Sequence, residues 1–251
     1  MNNKSQAKKS GILLLYLAVT LVLCGLSLYL ANAIPQGATV SGAPSVDTGP
    51  NTTPDSRTDD GGEIITLVLD LEQQNDAWKA YVGNVTGTYV LKSSNNFSIY
   101  EWPIGTSVDG EVYISRNDSL NFSSGAITCA TLTEMSADNT FFGLSSTATD
   151  NVNGTFNATN HSALVVGENN LGENTCYAIA LWVNDTVQTP SPSAVFQEVA
   201  LHDGINMVYT SIINNNRVGF DNTTTYDFQA IIPENRSGTG TQYFFYLELG
   251  T

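Results

Sequence analysis

The sequence predicts an all-β protein with antiparallel sheets, preceded by a single N-terminal transmembrane helix. Three observations lead to this prediction. After residue 63, apolar and polar side chains alternate with a period of two, as in the run Tyr226, Phe228, Ala230 and Ile232, which is the pattern of a half-buried strand. Turn-forming residues separate such runs. Before them, residues 11–33 carry no charged side chain and would span about 35 Å as a helix, enough for a bilayer core.

The strand prediction rests on about a dozen short runs. They begin near residues 64, 77, 85, 96, 111, 126, 162, 175, 194, 205, 225 and 241. Pairs such as Gly83-Asn84, Asp109-Gly110 and Asp203-Gly204 provide turns between them. Because no helical period separates the runs, they indicate an antiparallel β-sandwich of jelly-roll or immunoglobulin-like type. Residues 132–160 lack the alternation, and we expect a long loop or a short helix there.

Composition divides the chain into four segments. In order, we expect a basic cytoplasmic N-terminus (1–10), a transmembrane signal-anchor helix (11–33), a disordered linker rich in Pro, Gly and Thr (34–62) and an extracellular β-sandwich domain (63–251). The linker contains four prolines and no aromatic residue, so it lacks the apolar area needed to offset the entropy of ordering.

The distribution of charge orients the chain and narrows its partners. Three lysines precede the apolar segment and no acid occurs before Asp47, so the positive-inside rule places the C-terminal domain outside the cell. Of the 9 basic residues, 9 − 3 = 6 follow Ala33, against all 24 acids, which gives that part a net charge of −18. Such a domain repels nucleic acid and anionic membrane surfaces.

Three fates of the apolar segment remain open. It is an uncleaved signal anchor, or it is a secretory signal cleaved near Ala33, after the small-x-small sequence Ala31-Asn32-Ala33. Alternatively, the leader Lys8-Lys9-Ser10-Gly11 resembles archaeal type IV pilin signals. That resemblance implies cleavage before a helix that forms a filament core, although pilin helices run straight into the head domain and a linker is predicted here.

Two of the three cysteines lie outside the apolar segment. Cys24 is inside it, which leaves Cys129 and Cys176 as a pair. In an oxidising exterior we expect these two to form a disulfide, worth about 3–4 kcal/mol. The alternative is a pair of buried thiols.

Asn-x-Ser/Thr sequons are dense after the apolar segment, and several fall at turns or strand ends where a glycan would face solvent. We therefore expect glycosylation of at least some of them. The candidates are Asn51, Asn84, Asn96, Asn117, Asn121, Asn153, Asn157, Asn160, Asn184, Asn222 and Asn235.

Few residues point to catalysis or metal binding. We expect both histidines, His161 and His202, to be exposed to solvent, with no Cys or His cluster beside them in sequence. The acidic turn at residues 59–63 is a weak Ca²⁺ candidate without the alternating ligand spacing of a calcium loop. No nucleophile elbow, paired-His helix or phosphate loop is present. We assign no catalytic residue, cofactor or metal, and expect a protein that is not an enzyme.

The three tryptophans are the candidates for an aromatic binding face. Trp78 and Trp182 lie in alternating apolar runs, so we expect them in the core. Trp102 precedes Pro103 and is the best candidate for an exposed ring.

The stretches 78–87, 100–102 and 110–113, which read WKAYVGNVTG, YEW and GEVY, resemble uncharacterised membrane-anchored surface proteins of archaea. The resemblance implies a β-sandwich ectodomain on an archaeal envelope and brings no activity with it.

Together these features predict a membrane-tethered cell-surface protein with a structural, adhesion or recognition role. Its partners would be the bilayer through residues 11–33 and a protein or glycan at the surface, without nucleic acid. The alternatives are a subunit of a pilin-like filament and a secreted carbohydrate-binding or carbohydrate-active protein.

Overall fold

The computed structural model describes residues 35–38, 58, 61, 75–103, 109–235 and 240–250. The predicted transmembrane segment 11–33, most of the predicted linker and the strand expected near residue 64 lie outside these residues. Within them, no helix combines the length and apolarity that crossing a bilayer requires.

Strands dominate the described residues, and two helices interrupt them. In chain order the strands are β1 (Gln36–Gly37), β2 (Trp78–Gly83), β3 (Thr88–Lys92), β4 (Ser98–Pro103), β5 (Gly110–Ser115), β6 (Thr128–Cys129), β7 (Leu164–Val166), β8 (Asn169–Leu171), β9 (Ala178–Ala180), β10 (Gln197–His202), β11 (Met207–Ile212), β12 (Arg217–Val218), β13 (Thr225–Tyr226), β14 (Phe228–Pro233) and β15 (Phe244–Leu249). The helices are α1 (Leu132–Phe142) and α2 (Val152–Thr155).

A seven-stranded antiparallel sheet forms the centre. Its order is β1-β15-β5-β11-β10, and the far edge of β10 pairs with β9 at one end and with β6 at the other. The strands β2 and β14 form a separate antiparallel pair that packs on the central sheet near β10 and β11. Three further two-stranded pairs, β3–β4, β7–β8 and β12–β13, complete the described strands.

Both faces of the central sheet are covered. Side chains that alternate along β5 show this, because Val112 and Ile114 join one buried cluster while Tyr113 joins the other. The first cluster includes residues of α1, α2, β2 and β14. The second includes residues of β7 and of the segment after β5. The core therefore lies in two layers, one on each side of a single sheet.

The all-β, antiparallel prediction is confirmed, and most strands begin within three residues of the predicted starts. Strands β8 and β12 were not predicted; they are three and two residues long, too short to show a period. The jelly-roll or immunoglobulin-like type of the sandwich stays a prediction.

Helix α1 lies in the region where the sequence predicts a loop or short helix. Thr131 caps it: its hydroxyl accepts from the backbone of Glu134, whose carboxylate accepts from the Thr131 amide. The buried positions are Met135, Asp138, Asn139 and Phe142, which follow helical spacing. Two of these four are polar, and this hides the helix from a reading of apolar periodicity.

The first residues of the predicted linker belong to the sheet. Gln36 pairs with Leu247 and Gly37 with Tyr246, and the amide of Ala38 donates to the carbonyl of Phe245 at 2.8 Å. Strand β1 therefore closes the β15 edge of the central sheet, two residues after the range predicted to span the membrane.

Carboxylic acids are buried under strand β7. Glu111 on β5 lies opposite Glu248 on β15, and Glu248 accepts from the hydroxyl of Tyr113 at 2.5 Å. Burial raises the pKa of Glu111 to about 8, a hydrogen bond from the Val165 amide lowers it, and the charge of Glu248 raises it. On the opposite face, burial raises the pKa of Glu198 well above its ordinary value, while its Oε2 accepts from the amide of Ile231.

We predict that the domain loses stability as pH rises from 5 to 8. In that window folded Glu111 holds a proton that the unfolded chain, with the ordinary pKa of 4.5, releases. Each such group lowers the free energy of unfolding by about 1.4 kcal/mol per pH unit. Urea denaturation at pH 5, 6.5 and 8 measures the slope. The Glu111→Gln variant should have a shallower slope, whereas Glu168→Gln at an exposed site serves as control; equal slopes in Glu111→Gln and the parent would contradict the assignment.

Candidate recognition surface

The hairpin of β3 and β4 is the most exposed apolar element among the described residues. Every residue of both strands is exposed. Its turn is closed by the amide of Ser93, which donates to Phe97 O at 2.8 Å, and Asn96 takes a left-handed φ of 66°. An isolated two-stranded hairpin has marginal stability in water, so this element gains from contact with a partner.

One face of the hairpin is an apolar ladder. Tyr89 pairs with Trp102, and Leu91 pairs with Tyr100, so the four side chains lie on the same side of the strands. Their exposed fractions are 42, 50, 51 and 63% in that order. The Tyr89 and Trp102 rings are 6.3 Å apart at 34°. We call these four residues the aromatic face.

Two further apolar residues of the hairpin are exposed. Phe97 in the turn is 73% exposed and Ile99 is 57% exposed. Exposed apolar residues gathered on one element typically mark a contact with a protein, a membrane or a ligand.

The hairpin carries no net charge. Residues 84–103 include one base, Lys92, and one acid, Glu101, whereas the chain after Ala33 has a net charge of −18 from 24 acids and 6 bases. Contact at the hairpin therefore brings little repulsion and depends on burial of apolar area rather than on ion pairing.

The sequence identified one member of this surface. Trp102 is the best candidate for an exposed ring among the three tryptophans of the sequence, and it is 50% exposed. Tyr89, Leu91 and Tyr100 were not identified, because an alternating apolar run reads equally well as the inward face of a core strand. The period locates the apolar face of a strand and does not say what covers it.

The other two tryptophans differ from each other. Trp78 is partly buried against the core, as predicted, and its Nε1 donates to Asp150 O at 2.7 Å. The prediction for Trp182 is wrong: it is 50% exposed. The chain leaves β9 at Ala180, and Leu181 turns inward in its place.

The prediction that both histidines are exposed is wrong. His161 is fully buried: its Nε2 accepts from the amides of Thr175 and Cys176 at 3.0 and 2.9 Å, and its Nδ1 donates to Ser162 O. His202 is 8% exposed and its Nδ1 accepts from the amide of Gly204. Both rings accept from backbone amides that would otherwise need another partner.

The two cysteines predicted to pair are bonded. Cys129 on β6 and Cys176 before β9 form a disulfide with Cα atoms 4.9 Å apart. The bond links the two segments that flank the same edge of β10, and both helices lie in the loop that it closes.

Other candidate sites have less structural support. No cluster of three or more potential metal ligands occurs in the described ranges, and all of the acidic turn 59–63 except Gly61 lies outside them. A cleft of about 460 Å³ lies beside Arg116, Phe141 and Asn206. The guanidinium of Arg116 in this cleft already pairs with Asp138 and stacks over the Phe141 ring, so these contacts compete with the binding of a ligand anion.

The sequon asparagines are spread over the surface. The exposed ones are Asn84, Asn96, Asn121, Asn157, Asn160, Asn184 and Asn222, and the partly buried ones are Asn117, Asn153 and Asn235. Asn51 lies outside the described residues.

Comparison with known proteins adds no relative: no family model, curated protein or solved structure matches the chain.

We predict that the aromatic face binds apolar molecules from solution. Replacing Tyr89, Tyr100 and Trp102 by serine should lower the binding of a fluorescent apolar dye to the folded protein and change the free energy of unfolding by about 1 kcal/mol or less, because the rings are exposed. Dye titration and urea denaturation measure the two effects. The control is Ile205→Ser, which removes an 82% exposed side chain from another turn; equal dye loss in both variants would contradict a special role for the hairpin.

Proposed function

We propose that the chain is a cell-surface protein, tethered by residues 11–33, whose external domain acts in adhesion or recognition through the β3–β4 hairpin. The observation that carries this proposal is the exposed, uncharged aromatic face on a strongly acidic chain. Recognition surfaces of proteins are enriched in tyrosine and tryptophan. These side chains bury much apolar area while losing few rotatable bonds.

Several features support export of the domain. The Cys129–Cys176 disulfide suits an oxidising compartment. The lysines before the apolar segment favour an external C-terminus.

The architecture proposed for this domain is a sandwich, and the packing of the β2–β14 pair over the central sheet supports it.

Surface display has a direct test. Intact cells that produce the full chain with a C-terminal epitope tag are treated with a protease that cannot enter them. We expect the tag to be lost from intact cells and the remainder of the chain to stay with the membrane fraction. A tag that survives until the cells are lysed would contradict display.

The role of the hairpin has its own test. Cells that display the parent chain should adhere to one another or to their natural surface more than cells that display Tyr100→Ser/Trp102→Ser in equal amount. Burial of the two rings supplies the contact energy, so the variant should lose most of the adhesion. Ile205→Ser should retain it. Unchanged adhesion in the double variant would contradict a role for the hairpin in adhesion. Inhibition of adhesion by a soluble polysaccharide would identify a glycan as the partner.

A filament subunit is the second candidate, and β1 favours it. Only residues 34 and 35 separate the apolar segment from this strand, a reach of about 10 Å between residues 33 and 36. A short connection of this kind suits a helix that runs directly into its head domain. Sequencing of the mature N-terminus discriminates: a start near Gly11 favours the filament, whereas an intact N-terminus favours the anchor.

A further inference from the structure

The sequons are not equivalent, because the folded domain accommodates a glycan only on an asparagine whose side-chain nitrogen faces solvent. In N-glycosylation the Nδ2 atom forms a bond to the anomeric carbon of the first sugar of a lipid-linked oligosaccharide. The anomeric C–O bond to the polyprenyl phosphate breaks, the phosphate leaves with the bonding electron pair, and Nδ2 gives up one of its two protons to balance the charge of that leaving group. An Nδ2 atom that is held within the fold has no room for the sugar.

Two sequon side chains are held in this way. Asn153 joins the two helices: its Nδ2 donates to Leu132 O at 3.1 Å, and its Oδ1 accepts from Asn139 Nδ2 at 2.6 Å. Asn117 joins two turns: its Nδ2 donates to a carboxylate oxygen of Asp203 at 2.7 Å, and its Oδ1 accepts from the amide of Ser119. A glycan on either residue would break a contact between elements.

Two other sequons lie on a pair of turns that are hydrogen-bonded to each other. The amide of Asn184 donates to Gly219 O, and the amide of Asp185 donates to Phe220 O, both at 2.9 Å. Asn184 and Asn222 are exposed and have left-handed φ values of 52° and 55°. Within the described part of the chain, neither side-chain amide makes a hydrogen bond.

The two turns share a sequence pattern. Each has an aromatic residue two positions before the asparagine and threonine two positions after it, as in Phe220-Asp221-Asn222-Thr223-Thr224 and in residues 182–186, which read WVNDT. Phe220 is 38% exposed, and its ring lies parallel to that of Tyr226, with centroids 6.2 Å apart at 5°, so the ring is partly supported and partly in contact with solvent. The C–H groups of a sugar pack favourably on such a face.

We propose that Asn184 and Asn222 are glycan acceptors and that Trp182 and Phe220 are the platforms on which their first sugars rest, whereas Asn117 and Asn153 stay unmodified and structural. The inference rests on the proposed export of the domain. It also accounts for the exposure of Trp182, a large apolar ring that the core does not cover.

Site occupancy tests the inference. The full chain is produced in the secretory pathway of a host with an oligosaccharyltransferase, so the test does not depend on where the native protein resides. Peptide mass spectrometry then reads each sequon. We expect glycan at Asn184 and Asn222 and none at Asn117 and Asn153. Exported protein with both turns empty, or with glycan at Asn117 or Asn153, would overturn the assignment, while the proposed surface display would stand on its own protease test.

A second measurement tests the platform itself. The rise in melting temperature that glycosylation provides is measured as the difference between the parent and Asn222→Gln, both purified from the glycosylating host. The same difference is then measured in the Phe220→Ala background. We expect the glycan-dependent rise in melting temperature to disappear when Phe220 is replaced. If Phe220 only supports Tyr226, its replacement lowers the melting temperature of the glycosylated and unglycosylated proteins equally, and that result would refute the stacking.

Discussion

The central sheet is buried on both faces, and this constraint determines what the other elements do. A sheet in the middle of a core leaves no solvent for the polar side chains that strand alternation brings inward. Each must find a partner or lose its charge. Glu111, Glu198 and Glu248 occupy such positions. Burial raises the pKa of the first two, and all three accept hydrogen bonds from the backbone of the covering layers.

These hydrogen bonds connect the layers more specifically than apolar packing does. Glu198 holds β14 over one face through the amide of Ile231, and Glu248 holds the β7–β8 turn over the other through the amide of Gly167 at 2.9 Å. Other contacts cover the two edges of the central sheet. Strand β1 covers β15, and the disulfide fastens the segments that pair with β10. The β3–β4 hairpin remains outside this arrangement, which is why its apolar side chains are available to a partner.

The sequence predicts the strands of this fold well because alternation is a local property. Prediction from the sequence fails where residues distant along the chain determine whether a side chain is buried. Helix α1 uses Asp138 and Asn139 as inward residues, since Asp138 pairs with Arg116, which directly follows β5, and accepts from the hydroxyl of Tyr209 on β11. His161 is buried where the backbone amides of Thr175 and Cys176, which are distant from it in sequence, both donate to its Nε2. The aromatic face was the harder case: its residues have the pattern of a core strand, and only the tertiary structure leaves them uncovered.

We propose above that the aromatic face lies outside the cell and makes the contact with a partner. Oxidative labelling with a reagent that cannot enter cells tests it directly, because Tyr100 and Trp102 can be read by mass spectrometry. The account predicts modification of both rings on dispersed cells and their protection when the cells adhere. Rings that stay unmodified on dispersed cells, or that are modified equally in both states, would contradict it.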